Sequence, residues 1–308
     1  MEKMAGGTLR IGNREYEFVK KRAYSSISVY KGSGTYLRMG NTNDVKKDME
    51  VFEKLRRFGF PVARLIKEGK VDGQSFYVEE SLGDVHMGEI FMRDCSRSGT
   101  VSAANFKRYI DMTRLFCEAQ LRSATKKEKF DIKGFFSHKL FEERPDLKHD
   151  TIKALKQVKD RTSVFPMVIT HGDLNPFNFM PKGIIDFEFM FYGPAGYDAI
   201  TNLYHIYAFP KTRNFSKSRK YEMWRGYDFT AAQRVSYLNA IDDVYVRNGL
   251  PKPSDYKDDF IFGRIIWSAV QLQKFPKTRE WRYSIYEKIL QNYLCGKPII
   301  ETIVNFPS

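Results

Sequence analysis

Residues 168–189 read VITHGDLNPFNFMPKGIIDFEF. His171, Asp173, Asn178, Asp186 and Glu188 stand there among Val168, Ile169, Phe177, Phe179, Ile184 and Ile185. Polar groups in apolar sequence are costly to bury unless they are hydrogen-bonded, paired or metal-bound, so the stretch needs a chemical reason. Asp173 and Asn178 fall on a loop, and Asp186 closes an apolar run that reads as a short strand, so a hairpin can bring the three together. Two carboxylates and an amide oxygen are hard ligands of the kind magnesium accepts alongside phosphates. Alternatively, one carboxylate stays off the metal and takes the proton of a hydroxyl nucleophile. Either arrangement suits phosphoryl transfer, in which a protein mainly positions groups and neutralises charge.

The surrounding chain divides in two. Over the first eighty or so residues, YEFVKKRAYSSISVYKGSGTYLRMG alternates in short runs, with turns at Ser25-Ser26 and Gly32-Ser33-Gly34, and reads as consecutive antiparallel strands. In TNDVKKDMEVFEKLRRFGF, Val45, Met49, Phe52 and Leu55 recur at helical spacing; Thr42, Asn43 or Asp44 can cap the start, and Gly59 and Pro61 end the helix. Strand-like runs follow at ARLIKEGKV and QSFYVEE. From Asp84 onward long mixed segments read as helices over 103–124, 136–160, 229–248, 257–274 and 280–295, interrupted by the quoted stretch with MVIT as a strand. The pattern predicts an α+β, two-lobed plan: a small antiparallel-sheet lobe with one helix over 1–80, a connection over 81–84, and a larger helical lobe over 85–308.

Composition narrows the function classes. The chain has 308 residues, 42% hydrophobic and 29% charged, which suits a globular fold, and it has no apolar run long enough to span a membrane. Its start lacks a secretory apolar core, and Cys95, Cys117 and Cys295 are scattered and odd in number; a cytoplasmic protein is expected, without a disulfide framework or a four-ligand zinc site. The net charge of +14 admits a polyanionic partner, nucleic acid or a membrane surface, with modest basic clusters at 211–220 and 274–282. No zinc-finger spacing, Walker A sequence or RNA-binding aromatic motif supports the nucleic-acid option.

The order His171-Gly172-Asp173, then Asn178, then Ile184-Ile185-Asp186-Phe187-Glu188 is that of a kinase catalytic loop and its metal-binding Asp. It resembles the aminoglycoside phosphotransferase and choline kinase superfamily, the small-molecule relatives of protein kinases. The resemblance implies a two-lobed protein-kinase-like fold using ATP, or GTP, with Mg2+ to phosphorylate a small-molecule hydroxyl. It implies Asp173 as base, His171 as a brace of the loop, Asn178 and Asp186 as metal ligands, and Asp198 as a buried support. In the first lobe it implies Arg38 on the nucleotide phosphates, with Asp48 as its ion-pair partner and Glu50 as the fallback. Ser25 and Ser26 would form the phosphate-covering turn, and the backbone from Glu79 to Ser81 would meet the adenine.

Glu188 is either a further ligand or a salt-bridge partner. In FGRIIWSAVQLQ, Trp267 falls at one position of the choline kinase aromatic cage and Arg264 where a second Trp is expected. An Arg facing that cage repels choline. Acids at Asp242, Asp243, Asp255, Asp258 and Asp259 could serve an aminoglycoside pocket, although a solvated helix face is the plainer reading. With the basic charge, the expectation is a sugar or another neutral or anionic acceptor; aminoglycoside or choline/ethanolamine kinase is the alternative. A nucleotide-binding regulator, or a kinase of a nucleic-acid or glycolipid partner, is the reading of another class. Oligomeric state is not legible.

Overall fold

The computed structural model describes residues 3–4, 8–22, 25–126, 128, 138–205, 226–271 and 276–305, with no side-chain description for 3–4, 138–140, 267–282 and 303–305. The chain forms two compact units, Met1–His86 with Asn178–Ile185, and Met87–Phe177 with Asp186–Ser308.

In the first unit, strands β1 (Lys3–Met4), β2 (Thr8–Ile11), β3 (Arg14–Lys21), β4 (Ser28–Gly32), β5 (Thr35–Gly40), β6 (Leu65–Val71) and β7 (Gln74–Glu80) form one sheet in the order β1-β2-β3-β4-β5-β7-β6. Every pairing is antiparallel. Alternation along β5 and β7 divides two cores. Leu37, Met39, Phe76 and Val78 join Leu9 and Tyr16 in one, while Tyr77 joins Val29 and Ile27 with Val45, Met49 and Phe52 of helix α1 (Thr42–Arg57) in the other. Arg38 lies opposite Tyr77 in the ladder, so the same alternation sends this charge under the helix. The helix starts one residue earlier than the sequence suggested. Asn41 is the cap, its side chain accepting the Asp44 N–H at 2.8 Å, and Asp44 is then freed for a different contact.

A two-stranded hairpin, β9 (Phe179–Met180) with β10 (Gly183–Ile184), belongs to this first unit although it lies far along the chain. Lys182 N–H donates to Leu82 C=O at 3.0 Å and Ile184 N–H to Pro61 C=O at 2.7 Å. The strand ends at Ile184, so Asp186 is not the strand end that its apolar neighbours suggested.

The second unit contains α2 (Met87–Ser98), α3 (Ala103–Arg122), α4 (His138–Glu143), α5 (Lys148–Thr162), the strand pair β8 (Met167–Thr170) with β11 (Phe191–Pro194), and α6 (Tyr197–Leu203). It ends with α7 (Ala231–Arg247), α8 (Lys257–Gln271), α9 (Pro276–Leu294) and α10 (Ile299–Asn305). The single helix expected over 136–160 is broken at Pro145, which starts a 3-10 turn and cannot donate within a continuing helix. Edge-to-face and tilted contacts among Phe91, Phe106, Tyr109, Tyr227, Phe229 and Tyr237 fill the space where α2, α3 and α7 meet. Tyr227 is thus a core residue. Among the described residues no helix is long and apolar enough to cross a membrane.

The hairpin is a sensitive joint. A Cβ on Gly183 would stand 2.4 Å from Pro61 O and 3.0 Å from Leu82 Cδ1. Gly183→Ala is expected to cost about 1–3 kcal/mol of stability by overpacking. Chemical denaturation should show a lower midpoint with an unchanged slope; an unchanged midpoint would count against the tight stitch.

Candidate active site

The loop after β8 is built around one buried carboxylate. Asp198, in the first turn of α6, is fully buried; its Oδ2 accepts the His171 N–H at 2.7 Å and its Oδ1 accepts the Gly172 N–H at 3.1 Å. Gln120, from the end of α3, donates to Asp198 at 2.8 Å and to Ile169 C=O at 2.9 Å. A carboxylate at a helix N-terminus is also favoured by the helix dipole. His171, itself fully buried, packs 4.5 Å from the Phe187 ring, and its Nδ1 accepts the Asp173 N–H at 3.3 Å. Gly172 has φ +82°, and a Cβ there would lie 2.2 Å from Phe189 O, so both conformation and space demand glycine. Asn175 closes the loop with two local bonds, donating to Asp173 C=O at 2.9 Å and accepting Phe177 N–H at 3.0 Å. Asp173 ends up with its side chain 26% exposed and its carboxylate hydrogen-bonded by Arg264.

Asn178 and Asp186 flank the hairpin. Ile185 N–H donates to Asn178 C=O at 3.0 Å, so Asp186 follows directly on a residue bonded to Asn178. Asp186 has φ 70°, and it and Asp72 are the non-glycine residues of positive φ among those described. Asp72 is explained by the turn between β6 and β7; Asp186 starts a 3-10 turn, Phe187–Phe189, without capping it. Outside a hairpin turn, such a conformation is uncommon for a non-glycine residue. Glu188 lies in that 3-10 turn and is exposed. Among the described residues no three His, Cys, Asp or Glu side chains form a ready metal cluster. The donor set still suits magnesium, which takes one or two protein oxygens and completes its shell with phosphate and water.

In the first unit, Arg38 is buried and has two acidic partners. Its Nε donates to Glu79 Oε1 at 2.7 Å, and its Nη1 forms the expected ion pair with Asp48 at 4.0 Å. Asp48 also accepts Arg22 Nη1 at 2.8 Å and the Tyr77 hydroxyl at 2.6 Å. Glu79, read from the sequence for its backbone, also pairs through its side chain with Arg38, and Arg22, which carried no sequence signal, completes the cluster. Burial works against the Arg38 charge, but Glu79, Tyr77 and Asp48 outweigh it and raise its pKa, so it remains a cation; its guanidinium also lies 5.7 Å from the Phe52 ring centroid. Glu79 Oε2 is buried without a hydrogen-bond partner among the described residues, leaving one acceptor for a ligand donor or a water. Glu50 is overturned as the fallback, because it lies on the exposed side of α1, 3.9 Å from Lys46.

The Ser25-Ser26 turn is likewise committed. Ser26 N–H donates to Asp44 Oδ2 at 2.7 Å, Ser26 Oγ accepts Asn41 N–H at 2.9 Å, and Ser25 Oγ accepts Ile27 N–H at 3.4 Å. The donor expected for phosphate is thus spent on a carboxylate. Ser81 Oγ hydrogen-bonds around Gly83, accepting its N–H at 3.2 Å.

The acids Asp242 and Asp259 are neither solvated nor gathered into a pocket: Asp242 accepts Ser254 N–H at 3.1 Å, and Asp259 pairs with Arg161 at 3.1 Å and accepts the Tyr293 hydroxyl. Asp243 and Asp255 are exposed, as a solvated face requires. Trp224 and the basic cluster at 211–220 lie outside the described residues, as do the side chains of Trp267, Trp281 and the cluster at 274–282.

The family model described as Phosphotransferase enzyme family matches residues 37–232, more than half of the chain, and the protein belongs to that family. It is a kinase of small-molecule hydroxyl groups. No curated relative matches the sequence. Similar solved structures include a thermostable mutant of aminoglycoside phosphotransferase APH(4)-Ia, in ternary complex with AMP-PNP and hygromycin B, at 9% identity, covering 96% of this chain and 97% of that one with a TM-score of 0.51. APH(3'')-Id from Streptomyces rimosus matches at 11% identity, 82% and 92% coverage and a TM-score of 0.47. A choline/ethanolamine kinase family protein from Mesorhizobium loti matches at 12% identity, 97% and 94% coverage and a TM-score of 0.48. The fold is the α+β, protein-kinase-like one, with an antiparallel-sheet N-terminal lobe and a mostly helical remainder.

Two outcomes follow from this geometry. Asp198→Ala leaves three buried donors without their acceptor and is expected to destabilise by about 3 kcal/mol or more, whereas Asp198→Asn keeps one acceptor and loses less; urea titrations compare them. The Ser26 N–H holds the Asp44 carboxyl below its usual pKa of 3.8. Its contribution is therefore full above the unfolded value and lost as pH falls through the folded one. Unfolding midpoints between pH 5 and pH 2.5 should fall less steeply in Asp44→Asn than in the wild type, and identical slopes would reject the contact.

Proposed function

We propose that the protein transfers the γ-phosphoryl group of ATP, with GTP as the other candidate donor, to a hydroxyl of a small neutral or anionic metabolite such as a sugar. The observation that carries the reading is the braced loop: His171 and Gly172 are tied to Asp198 while Asp173 keeps a quarter of its side chain open. In this reading Asp173 accepts the acceptor's proton, an acceptor O–P bond forms, the bond to the β-phosphate oxygen breaks, and the nucleoside diphosphate leaves. Asn178 and Asp186 hold Mg2+, which when bound neutralises phosphate charge. Arg38 steadies the phosphates, and Arg22 joins it because both cations border Asp48. His171 does not move protons; it braces the loop.

The division of labour follows the two units, with nucleotide binding in the first and the base and acceptor site in the second. Support for a neutral or anionic acceptor comes from Asp242 and Asp259, which are spent on internal contacts instead of serving a cationic antibiotic. Cys95, Cys117 and Cys295 as free thiols support a reducing, cytoplasmic setting.

The test is magnesium-dependent consumption of ATP and GTP against aminoglycosides, choline, ethanolamine, sugars, sugar phosphates and nucleosides. Asp173→Asn is expected to lose about a hundredfold or more in turnover with nucleotide affinity kept within a few fold. Asp186→Ala should weaken magnesium-nucleotide binding itself, measured by calorimetry. Near-normal turnover in Asp173→Asn would falsify the base assignment, and turnover on a cationic acceptor alone would reverse the choice of substrate class.

A further inference from the structure

Helix α8 carries Arg264 into the interior of the second unit, where the residue is 2% exposed. Its Nη1 donates to Gly172 C=O at 2.7 Å, and its Nη2 donates to the Asp173 carboxylate. Tyr197, at the start of α6, lies against the same guanidinium. Burial opposes the charge, yet Asp173 and Tyr197 more than offset it and Arg264 stays a cation.

From this geometry we infer that Arg264 is the positioning residue of the transfer step, fixing the Asp173 carboxylate in one orientation for the acceptor hydroxyl. The inference rests on the reading of Asp173 as the base. Three physical points carry it. A buried ion pair gains little net stability after desolvation, so stability is a poor reason to bring an Arg from α8 to this loop. The guanidinium fork grips a backbone carbonyl and the carboxylate of the next residue together, which fixes the side-chain torsion that one contact would leave loose. The Arg264 side chain is 3% exposed and the Asp173 side chain 26%, so only the carboxylate is open to a ligand.

Phosphoryl transfer rewards such placement, because its transition state is loose and depends more on placement than on proton abstraction. Arg264 is thus neither a wall of an ammonium cage nor an anion ligand.

The experiment uses the full chain as wild type, Arg264→Gln, Arg264→Lys, Asp173→Asn and the Asp173→Asn/Arg264→Gln double variant. Nucleoside diphosphate release is followed with magnesium-ATP and the same hydroxyl panel, water included. Arg264→Gln is expected to lower kcat about 10- to 100-fold with KM for magnesium-ATP within about twofold. Arg264→Lys should recover part of that loss, since an ammonium reaches one anchor but cannot fork to both. In thermal unfolding, the double variant should be less destabilised than the sum of the single changes, a readout independent of turnover. Should Arg264→Gln not fold, the kcat of Arg264→Lys decides alone: a fall at constant KM supports the role. Unchanged kcat in either folded variant, or additive effects in the unfolding cycle, overturns it. Full turnover in Asp173→Asn instead sinks the base reading beneath it, an outcome recognisable because it does not depend on Arg264.

Discussion

Burying the Asp198 carboxylate obliges the chain to bring donors to it, and much of the second unit is organised by that demand. The donors are two consecutive backbone amides of the loop after β8 and one side-chain amide from the end of α3. The backbone of His171 and Gly172 is therefore held from beneath, and the left-handed conformation of Gly172 turns the chain so that the next residue, Asp173, faces outward. Charged acceptors make stronger hydrogen bonds than neutral ones, so a single side chain can set the loop.

The first unit solves an equivalent problem with opposite charges. Alternation along β5 sends Arg38 beneath α1, where an unpaired cation would be intolerable. Glu79, on the paired strand β7, meets it directly, while Asp48 on the helix is shared with Arg22 and Tyr77. Two cations and two carboxylates share one small volume, so a change in the partner of any one of them is felt by the others.

What the sequence disclosed and what it withheld divide along the range of the interactions. The strands at β3 to β7 and the helix at α1 are legible because period-two alternation and helical spacing are local. The loop of His171 to Asp186 is legible because its polar residues stand in a fixed order. Asn41 as cap was missed by one residue because three competing cap formers follow it. Glu79 as partner of Arg38 depends on the register between β5 and β7, and Arg264 as partner of Asp173 depends on how α8 packs, neither of which a one-dimensional pattern encodes. Ser26 illustrates a local reading with a non-local outcome: the turn is where it was expected, but its N–H is taken by Asp44.

The hairpin from Asn178 to Ile185 belongs to the first unit, yet it is encoded after some ninety residues of the second. A ribosome making this chain from its N-terminus releases the seven-stranded sheet long before the segment that bonds to Pro61 and Leu82 exists. The first unit therefore cannot complete its contacts during early synthesis, and no contiguous fragment contains it whole without some ninety residues of its neighbour. Gene truncation or fusion at the boundary after His86 would separate a sheet from its last clasp, so the two halves of this enzyme are inherited and matured as one object.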